Sequence, residues 1–203
     1  MKKAVVILGF ILVAALVASA ANVPAQTTLD NLQAAFNGES NAHARYTEFA
    51  KKADAEGYAQ AAALFRAAAR AEEVHARNHA VVIKKMGAEP KATIDKVEAK
   101  STKENLEAAV KGETYERDQM YPEFIKEARA KANRDAVETF TQAKTAEAEH
   151  ARLYSEALQN LDNMKVKNVT YYVCTVCGYT TTKLDFNKCP SCFSPKDKYV
   201  AVS

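Results

Sequence analysis

Apolar residues recur at helical spacing through most of the chain, from about residue 28 to residue 163. In the first stretch Leu32, Ala35 and Phe49 fall on one face of a helix. Gly57 and Gly87 interrupt the pattern, as helix ends commonly do. The periodicity therefore predicts a mainly α protein with four long helices. The predicted helices are Leu29–Glu56, Ala59–Met86, 102–132, and a fourth that follows Asn133 and ends near Leu161.

The connections between these helices predict how they are arranged. Helices of roughly 28 residues are about 42 Å long. The first pair and the last pair are joined by tight turns, which makes the helices of each pair antiparallel neighbours. The middle connection, closed by the capping-box sequence Ser101–Glu104, can stretch to about 46–50 Å. One such long crossover is typical of a ferritin-like four-helix bundle, predicted here for residues 28–163. Pro122 lies inside the third helix and predicts a kink there.

The N-terminal segment has the order of a secretory signal peptide. Lys2 and Lys3 precede an uncharged apolar run from Ala4 to Ala18, and small residues follow. We predict a signal peptide at residues 1–20 and an exported, periplasmic protein without a stable membrane span. An uncleaved membrane anchor is the alternative, although the run of about 15 residues is shorter than the roughly 20 needed to cross a bilayer.

Composition excludes some classes of function. The chain has 28 basic and 25 acidic residues, so its formal net charge is only +3. This balance gives no electrostatic case for binding nucleic acid or an anionic membrane surface. After about residue 168 the chain becomes rich in Thr, Tyr, Val, Pro and Cys, which predicts short strands and turns up to residue 203. We expect a metal to stabilise this segment, because so short a segment cannot bury enough core to fold alone.

Two Glu-x-x-His motifs, Glu72–His75 and Glu147–His150, lie in the second and fourth predicted helices. Glu and His three positions apart lie on one helix face, yet either motif alone fits an ordinary solvated surface. Counted from the predicted turns, both motifs fall at one level of the bundle together with acidic residues of the other two helices. Those acidic residues are Glu39, Glu113 and Glu116.

Several carboxylates buried together would repel one another unless cations neutralised them. The constellation therefore predicts a di-metal site with carboxylates from two helices and Glu-x-x-His from the other two. Carboxylates with two imidazoles suit iron or manganese better than zinc or copper.

The four cysteines form a second candidate metal site. They occur as two Cys-x-x-Cys pairs, Cys174–Cys177 and Cys189–Cys192. Two such knuckles predict a tetrahedral thiolate site for iron or zinc, and the spacing does not separate the two metals. Two disulfides are the weaker alternative in an oxidising compartment.

The motifs together resemble the rubrerythrin family from Leu29 to the C-terminus. The resemblance rests on Phe36–Ser40, Leu64–Arg66, Glu72–Ala76, Gly112–Glu116, Met120–Phe124, Ala146–His150 and the closing Cys-x-x-Cys-Gly-Tyr and Cys-Pro-x-Cys knuckles, in the family's order.

The resemblance implies which residues bind metal and act in catalysis. It implies a di-iron centre and one iron held by four thiolates in a rubredoxin-like module. His75 would exchange with Glu116 as a ligand, and Tyr46 and Tyr121 would lie near the cluster. His43 and His79 match no ligand position, so we expect them to be exposed. The implied di-iron ligands are Glu39, Glu72, His75, Glu113, Glu116, Glu147 and His150; the implied thiolates are Cys174, Cys177, Cys189 and Cys192.

The resemblance also implies an oxidoreductase that reduces hydrogen peroxide in oxidative-stress protection. Its electrons would come from a donor protein of unknown identity through the cysteine-bound iron, which would serve the di-iron site of the other subunit in a homodimer. A ferritin-like ferroxidase that binds iron is one alternative. A zinc-stabilised structural protein is the other.

Overall fold

Four long helical segments form the larger part of the molecule. The computed structural model describes residues 26–165 and 169–203. The predicted signal segment lies outside these residues, so export stays a prediction. Within the described ranges, no helix combines the length and the apolar character that crossing a membrane requires. The helices of the bundle are α1 (Thr28–Ala55), α2 (Ala59–Lys85), α3 (Thr102–Tyr115), α4 (Tyr121–Ala130) and α5 (Arg134–Gln159).

Local capping fixes the starts of α1 and α3. Thr27 and Asp30 form a capping box at the start of α1. Ser101 and Glu104 do the same at α3, which confirms the capping box predicted there. Each box satisfies backbone N–H groups that have no partner within the helix. The predicted four-helix bundle is confirmed, and its second antiparallel pair consists of the continuous segment α3–α4 packed against α5.

The third predicted helix is interrupted by a π-helical segment, Glu116–Met120, between α3 and α4. Pro122 lies in the first turn of α4, where the missing N–H is tolerated. A π segment takes up an extra residue within a helix. Glu113 and Tyr121, about two turns apart, therefore both face the bundle interior. The irregularity predicted from Pro122 is thus a change of helical register that positions a tyrosine.

The long crossover, residues 87–101, follows α1 in an extended conformation. Gln33 Nε2 donates to Glu89 O at 2.7 Å, and its Oε1 accepts from Lys91 N at 3.1 Å. Asn37 and Asn41 continue the series with Thr93 and Asp95. Four residues of helix rise about 6.0 Å and two residues of extended chain about 6.6 Å. Amide side chains one turn apart therefore match alternate residues of the crossover.

A polar layer divides the hydrophobic core in two. One core contains Tyr46, Phe65 and Tyr154, and the other contains Tyr121 and Phe140. The buried glutamates of the predicted metal site lie between these two cores along their helices. Apolar packing on both sides holds the helices around this layer.

The C-terminal residues form a small antiparallel sheet in the order β2–β1–β3. Its strands are β1 (Tyr171–Cys174), β2 (Thr180–Thr181) and β3 (Tyr199–Val202). This cysteine module, residues 169–203, packs against α2 and α5 of the same chain. Arg77 donates to Thr175 O at 2.7 Å and Asn78 donates to Val176 O at 2.8 Å.

Candidate metal centres

Six predicted ligands meet in the polar layer of the bundle. α1 supplies one of them, α3 one, and α2 and α5 one Glu-x-x-His pair each. All six side chains are buried, with at most 1% of their surface exposed. They are Glu39, Glu72, His75, Glu113, Glu147 and His150.

These side chains form two overlapping groups, within each of which the potential ligand atoms all lie within 4.8 Å of one another. One group adds Glu39 and His75 to a shared pair, and the other adds Glu113 and His150. The shared pair consists of Glu72 and Glu147. Two neighbouring metal positions bridged by two carboxylates, each with one further carboxylate and one imidazole, would use every one of these donors.

The unsatisfied atoms of the cluster fit bound cations. Buried polar atoms normally have hydrogen-bond partners. Here both carboxylate oxygens of Glu147 and Nδ1 of His150 have none, although Nδ1 lies 2.8 Å from Glu147 Oε2 and 3.4 Å from Glu72 Oε1. These atoms converge without hydrogen-bond geometry. Further buried oxygens without a partner in the same cluster are Glu39 Oε2, Glu72 Oε1 and Glu113 Oε2.

The cysteine module determines which nitrogen of each cluster histidine carries hydrogen. His75 Nε2 donates to Cys177 O at 3.0 Å. Thr180 donates its hydroxyl hydrogen to Gly178 O, so its oxygen accepts from His150 Nε2 at 3.0 Å. Burial alone would lower the pKa of each ring, but without metal the surrounding carboxylates raise that pKa well above its usual value, and His75 Nδ1 donates to Glu72 Oε2 at 2.8 Å. Metal binding requires neutral rings, and a neutral ring with its hydrogen on Nε2 turns an unprotonated Nδ1 toward the carboxylates. A lone pair facing carboxylate oxygens needs a cation between them, and an outer partner of this kind is usual for metal-binding histidines.

Without cations the charges in the cluster oppose one another. Burial, and then the negative charges of Glu72 and Glu147, raise the pKa of Glu113 to about 8. The same causes raise the pKa of Glu39 well above its usual value. Burial alone would also raise the pKa of Glu72, but interactions with His150 and His75 bring that pKa below its usual value. Some of the carboxyl groups must therefore bind protons whenever metal is removed.

Two tyrosines extend the cluster, as predicted. Tyr46 donates to Glu113 Oε1 at 2.6 Å, and Tyr121 donates a short hydrogen bond to Glu39 Oε1. Both tyrosines are buried, and burial raises the pKa of each hydroxyl well above its usual value. The hydroxyls therefore remain protonated and donate to Glu113 and Glu39, the two carboxylates that each belong to only one of the two groups.

Glu116 is the one predicted di-iron ligand that belongs to neither group. It is half-buried at the start of the π segment. Burial, and then the charge of Glu39, raise the pKa of its carboxyl group well above the usual value. His75 lies in the cluster, so the exchange of Glu116 with His75 stays a prediction.

The expectation that His43 and His79 are exposed is wrong. His43 is half-buried, and its Nδ1 lies 2.8 Å from Ala69 O. His79 is fully buried next to the cluster, with Nε2 3.1 Å from the Tyr121 hydroxyl. Burial, and then the charge of His75, lower the pKa of His79 to about 3, so the ring is neutral. Its spacing from Glu72 and His75 was the available signal, because all three positions share one face of α2.

The four cysteines form a second compact group, with every Sγ within 4.8 Å of the others. Cys174 and Cys192 are 3.7 Å apart at Sγ, and Cys177 and Cys189 are 3.6 Å apart. A disulfide would require about 2.05 Å. A tetrahedron with metal–sulfur distances of about 2.3 Å has edges of about 3.8 Å, close to the observed separations.

The fold and these two centres define a ferritin-like di-iron carboxylate protein with an added tetrathiolate iron module. The rubrerythrin family model matches residues 30–158, and the chain belongs to the rubrerythrin family. Its cofactors are accordingly a di-iron centre and one iron bound by four cysteine thiolates.

Known relatives agree with this assignment. Nigerythrin from Nitratidesulfovibrio vulgaris is 43% identical over 176 residues, which cover 86% of each chain. Rubrerythrin-2 from Clostridium acetobutylicum is 36% identical, covering 86% of this chain and 96% of that protein. A mixed-valence nigerythrin structure superposes with a TM-score of 0.79 over 86% of each chain, at 42% identity.

The two centres lie against each other within one chain. The carbonyl of Cys177 bonds directly to His75, and Thr180 bonds to His150. The family resemblance implied that the cysteine-bound iron serves the other subunit of a homodimer. In this structure the module next to the cluster belongs to the same chain, and the homodimer stays a prediction.

Proposed function

We propose that this protein is a peroxidase that reduces hydrogen peroxide to water in defence against oxidative stress. The observation that carries the proposal is the direct hydrogen bonding of the cysteine module to both cluster histidines. An iron pair held by the six clustered ligands would, when reduced, supply the two electrons that cleavage of the O–O bond requires, and an iron held by the four cysteines would return electrons to it one at a time. A single hydrogen bond, from His75 Nε2 to Cys177 O, connects a ligand of one centre to a ligand residue of the other, and so short a connection suits such a relay.

The residues of the chain itself organise the site for this reaction. Burial of the carboxylates excludes bulk water from the reacting region. Tyr46 and Tyr121 hold hydroxyl protons against Glu113 and Glu39, where the reduction of peroxide consumes protons. We also propose that Glu116 exchanges with His75 as a ligand between redox states. Its position on the π segment supports this, because π segments often accompany functional sites.

A single-turnover experiment tests the proposal. The purified protein is reduced without oxygen, one equivalent of hydrogen peroxide is added, and the colour of the thiolate-bound iron is followed. We expect fast return of the oxidised colour in the wild type. Glu72→Ala should abolish the fast phase and keep the colour itself, because Glu72 contributes to both metal positions. Glu73→Ala, at the neighbouring exposed position, is the matched control and should react like the wild type.

Other outcomes would favour other functions. Full peroxide reduction by Glu72→Ala would contradict the role of the cluster. Slow return of colour, together with mineral formation under excess ferrous iron, would indicate a ferroxidase that stores iron. Zinc at both sites would indicate a structural protein. Measuring metal content, peroxide turnover and iron uptake on one preparation separates these possibilities.

A further inference from the structure

His79 is a buried, polar residue that the proposed reaction has not used. It lies on α2 one turn beyond His75 and is completely buried. It belongs to neither group of metal donors. Its ring nitrogens contact two hydroxyls instead: Nε2 lies 3.1 Å from Tyr121 Oη, and Nδ1 lies 3.0 Å from Thr139 Oγ1. A buried imidazole in contact with two hydroxyls is part of a hydrogen-bond network and does more than fill space in the core.

The direction of every hydrogen bond in this series of residues follows from the bond at Glu39. The hydroxyl hydrogen of Tyr121 is donated to Glu39, so the Tyr121 oxygen can only accept from His79. Nε2 of His79 therefore carries the ring hydrogen. In a neutral ring the other nitrogen is then an acceptor, so Nδ1 accepts the hydroxyl hydrogen of Thr139. Three consecutive donors thus point the same way, toward Glu39.

The outer end of this hydrogen-bonded series lies at a surface cleft. Thr139 lies on α5 and keeps 6% of its surface exposed. It lines a cleft of about 230 Å³ between α2 and α5. The other polar groups of the cleft include Asn78, Glu138 and Gln142. A cleft of this size with polar walls holds several water molecules. Thr139 therefore borders a cleft that holds solvent, whereas the six clustered ligands are buried.

We propose that Thr139, His79 and Tyr121 form a proton path that carries protons from this cleft to Glu39. The inference rests on the proposed function, because reduction of peroxide to two waters consumes two protons that a buried site must import. The hydrogen bonds already have the direction that such a transfer requires.

One passage moves one proton from the cleft to the Glu39 carboxylate and leaves Thr139, His79 and Tyr121 neutral. A hydronium ion in the cleft gives a proton to Thr139 Oγ1 and becomes water, and the Thr139 hydroxyl hydrogen passes to His79 Nδ1. The Nε2 hydrogen of His79 passes to Tyr121 Oη, and the Tyr121 hydroxyl hydrogen passes to Glu39. Only O–H and N–H bonds form and break, and no electrons move. Reorientation of the hydroxyls and of the imidazole restores the starting arrangement between turnovers.

Two pairs of variants test the path. Thr139→Val removes the outer hydroxyl with almost no change of shape, whereas Thr139→Ser keeps it. His79→Gln can still accept from Thr139 and donate to Tyr121, but an amide does not pass a proton on. We expect Thr139→Val and His79→Gln to slow reoxidation by peroxide about tenfold, with a larger solvent isotope effect in D₂O. Thr139→Ser and the control His43→Gln, on α1 outside this path, should react at the wild-type rate.

A second measurement does not depend on turnover. In the full-length chain loaded with zinc, ¹⁵N NMR reports which nitrogen of His79 carries hydrogen. We expect the Nε2–H tautomer, with a ring hydrogen that exchanges slowly with solvent. The Nδ1–H tautomer would overturn the path, because the donors would then no longer point toward Glu39.

The outcomes separate this inference from the proposed function. If the wild type reduces peroxide and Thr139→Val matches it in rate and isotope effect, the path is wrong and the peroxidase stands. If only His79→Gln keeps the wild-type rate, His79 merely positions Tyr121, which also overturns the path. If the wild type does not reduce peroxide at all, the peroxidase proposal fails and the tautomer decides whether the hydrogen-bonded path exists.

Discussion

The hydroxyl of Tyr199 donates a hydrogen bond to Cys189 Sγ over 3.0 Å, in the module that holds the single iron. Tyr199 and Tyr179 both pack against the cysteine cluster. A hydrogen bond to a thiolate ligand stabilises the reduced state of the iron, because that state carries one more negative charge. The bond therefore bears on how readily the module accepts an electron.

Replacing Tyr199 with Phe should lower the reduction potential of the thiolate-bound iron. The ring and its packing remain while the hydrogen bond is lost. We expect a decrease of about 30–60 mV, where about 59 mV corresponds to a tenfold change in the ratio of reduced to oxidised iron. Redox titration followed by the visible colour of the iron measures the change. Tyr179→Phe is the matched control, and equal potentials in the two variants would contradict the role of the Tyr199 hydroxyl.

At the scale of single residues, spacing predicted the cluster but not its surroundings. The two Glu-x-x-His motifs and the levels of Glu39 and Glu113 were sufficient, because helical periodicity fixes which positions face inward. His79 lies on the same face and was still expected to be exposed. The partners that make its burial acceptable, Tyr121 and Thr139, come from α4 and α5. No local pattern around His79 contains that information.

At the scale of elements, the turn after the first cysteine knuckle decides how closely the module approaches the bundle. Gly178 has φ +81°, a conformation that favours glycine. A β-carbon there would overlap the His75 imidazole, 2.7 Å from Cδ2. The absence of a side chain therefore allows the hydrogen bond between Cys177 O and His75.

Gly178→Ala should move the module away from the cluster. We expect the thiolate-bound iron to keep its colour and to return electrons to the di-iron site at least tenfold more slowly, because the hydrogen-bonded contact is lost. The rate of colour return after one equivalent of peroxide measures this. Gly57→Ala is the matched control: Gly57 also has a positive φ, +79°, and a β-carbon there meets nothing within 4 Å. Equal slowing in both variants would attribute the effect to backbone strain alone.

The helices were predictable from the sequence, whereas the irregular segments were predictable only in part. Period and capping residues predicted the bundle helices because both signals are local. Pro122 indicated an irregularity, but a π segment of this kind depends on packing that lets Tyr121 face inward. The crossover was predicted from its length. Its pairing with the amides of Gln33, Asn37 and Asn41 was not predicted, because it depends on how the extended crossover is aligned with α1.

At the scale of the whole molecule, the proposed electron relay depends on how the two centres meet. The residues that join them are far apart in sequence: His75 and Cys177 are separated by 102 positions. Each centre was predictable from its own motif, but their contact involves surfaces that no short pattern describes. The module accepts hydrogen bonds from His75 at Cys177 O and from His150 at Thr180, which orient both cluster histidines, so the module acts on the structure of the di-iron site.

Removing the metals should make the stability of the bundle depend strongly on pH. In the metal-free protein the pKa of Glu113 is raised to about 8, and those of His75 and His150 are raised well above their usual values. The folded state then holds protons that the unfolded state releases as the pH rises. The stability that these three groups contribute to the folded state is therefore greatest below about pH 4.5. It falls as the pH approaches 8 and beyond. Denaturation of the chelated protein between pH 5 and 8 measures the slope.

Glu113→Gln should have opposite effects on the two forms of the protein. In the metal-free protein at pH 8 it should raise the free energy of unfolding by on the order of 3 kcal/mol, because a neutral amide replaces a buried carboxyl group that tends to ionise. At pH 5 the gain should nearly vanish, because the native carboxyl is already protonated. In the iron-loaded protein the same substitution removes a ligand and should weaken metal retention in the bundle. A metal-free Glu113→Gln protein no more stable than the wild type at pH 8 would mean that the buried carboxylates share their protons differently, with Glu113 ionised.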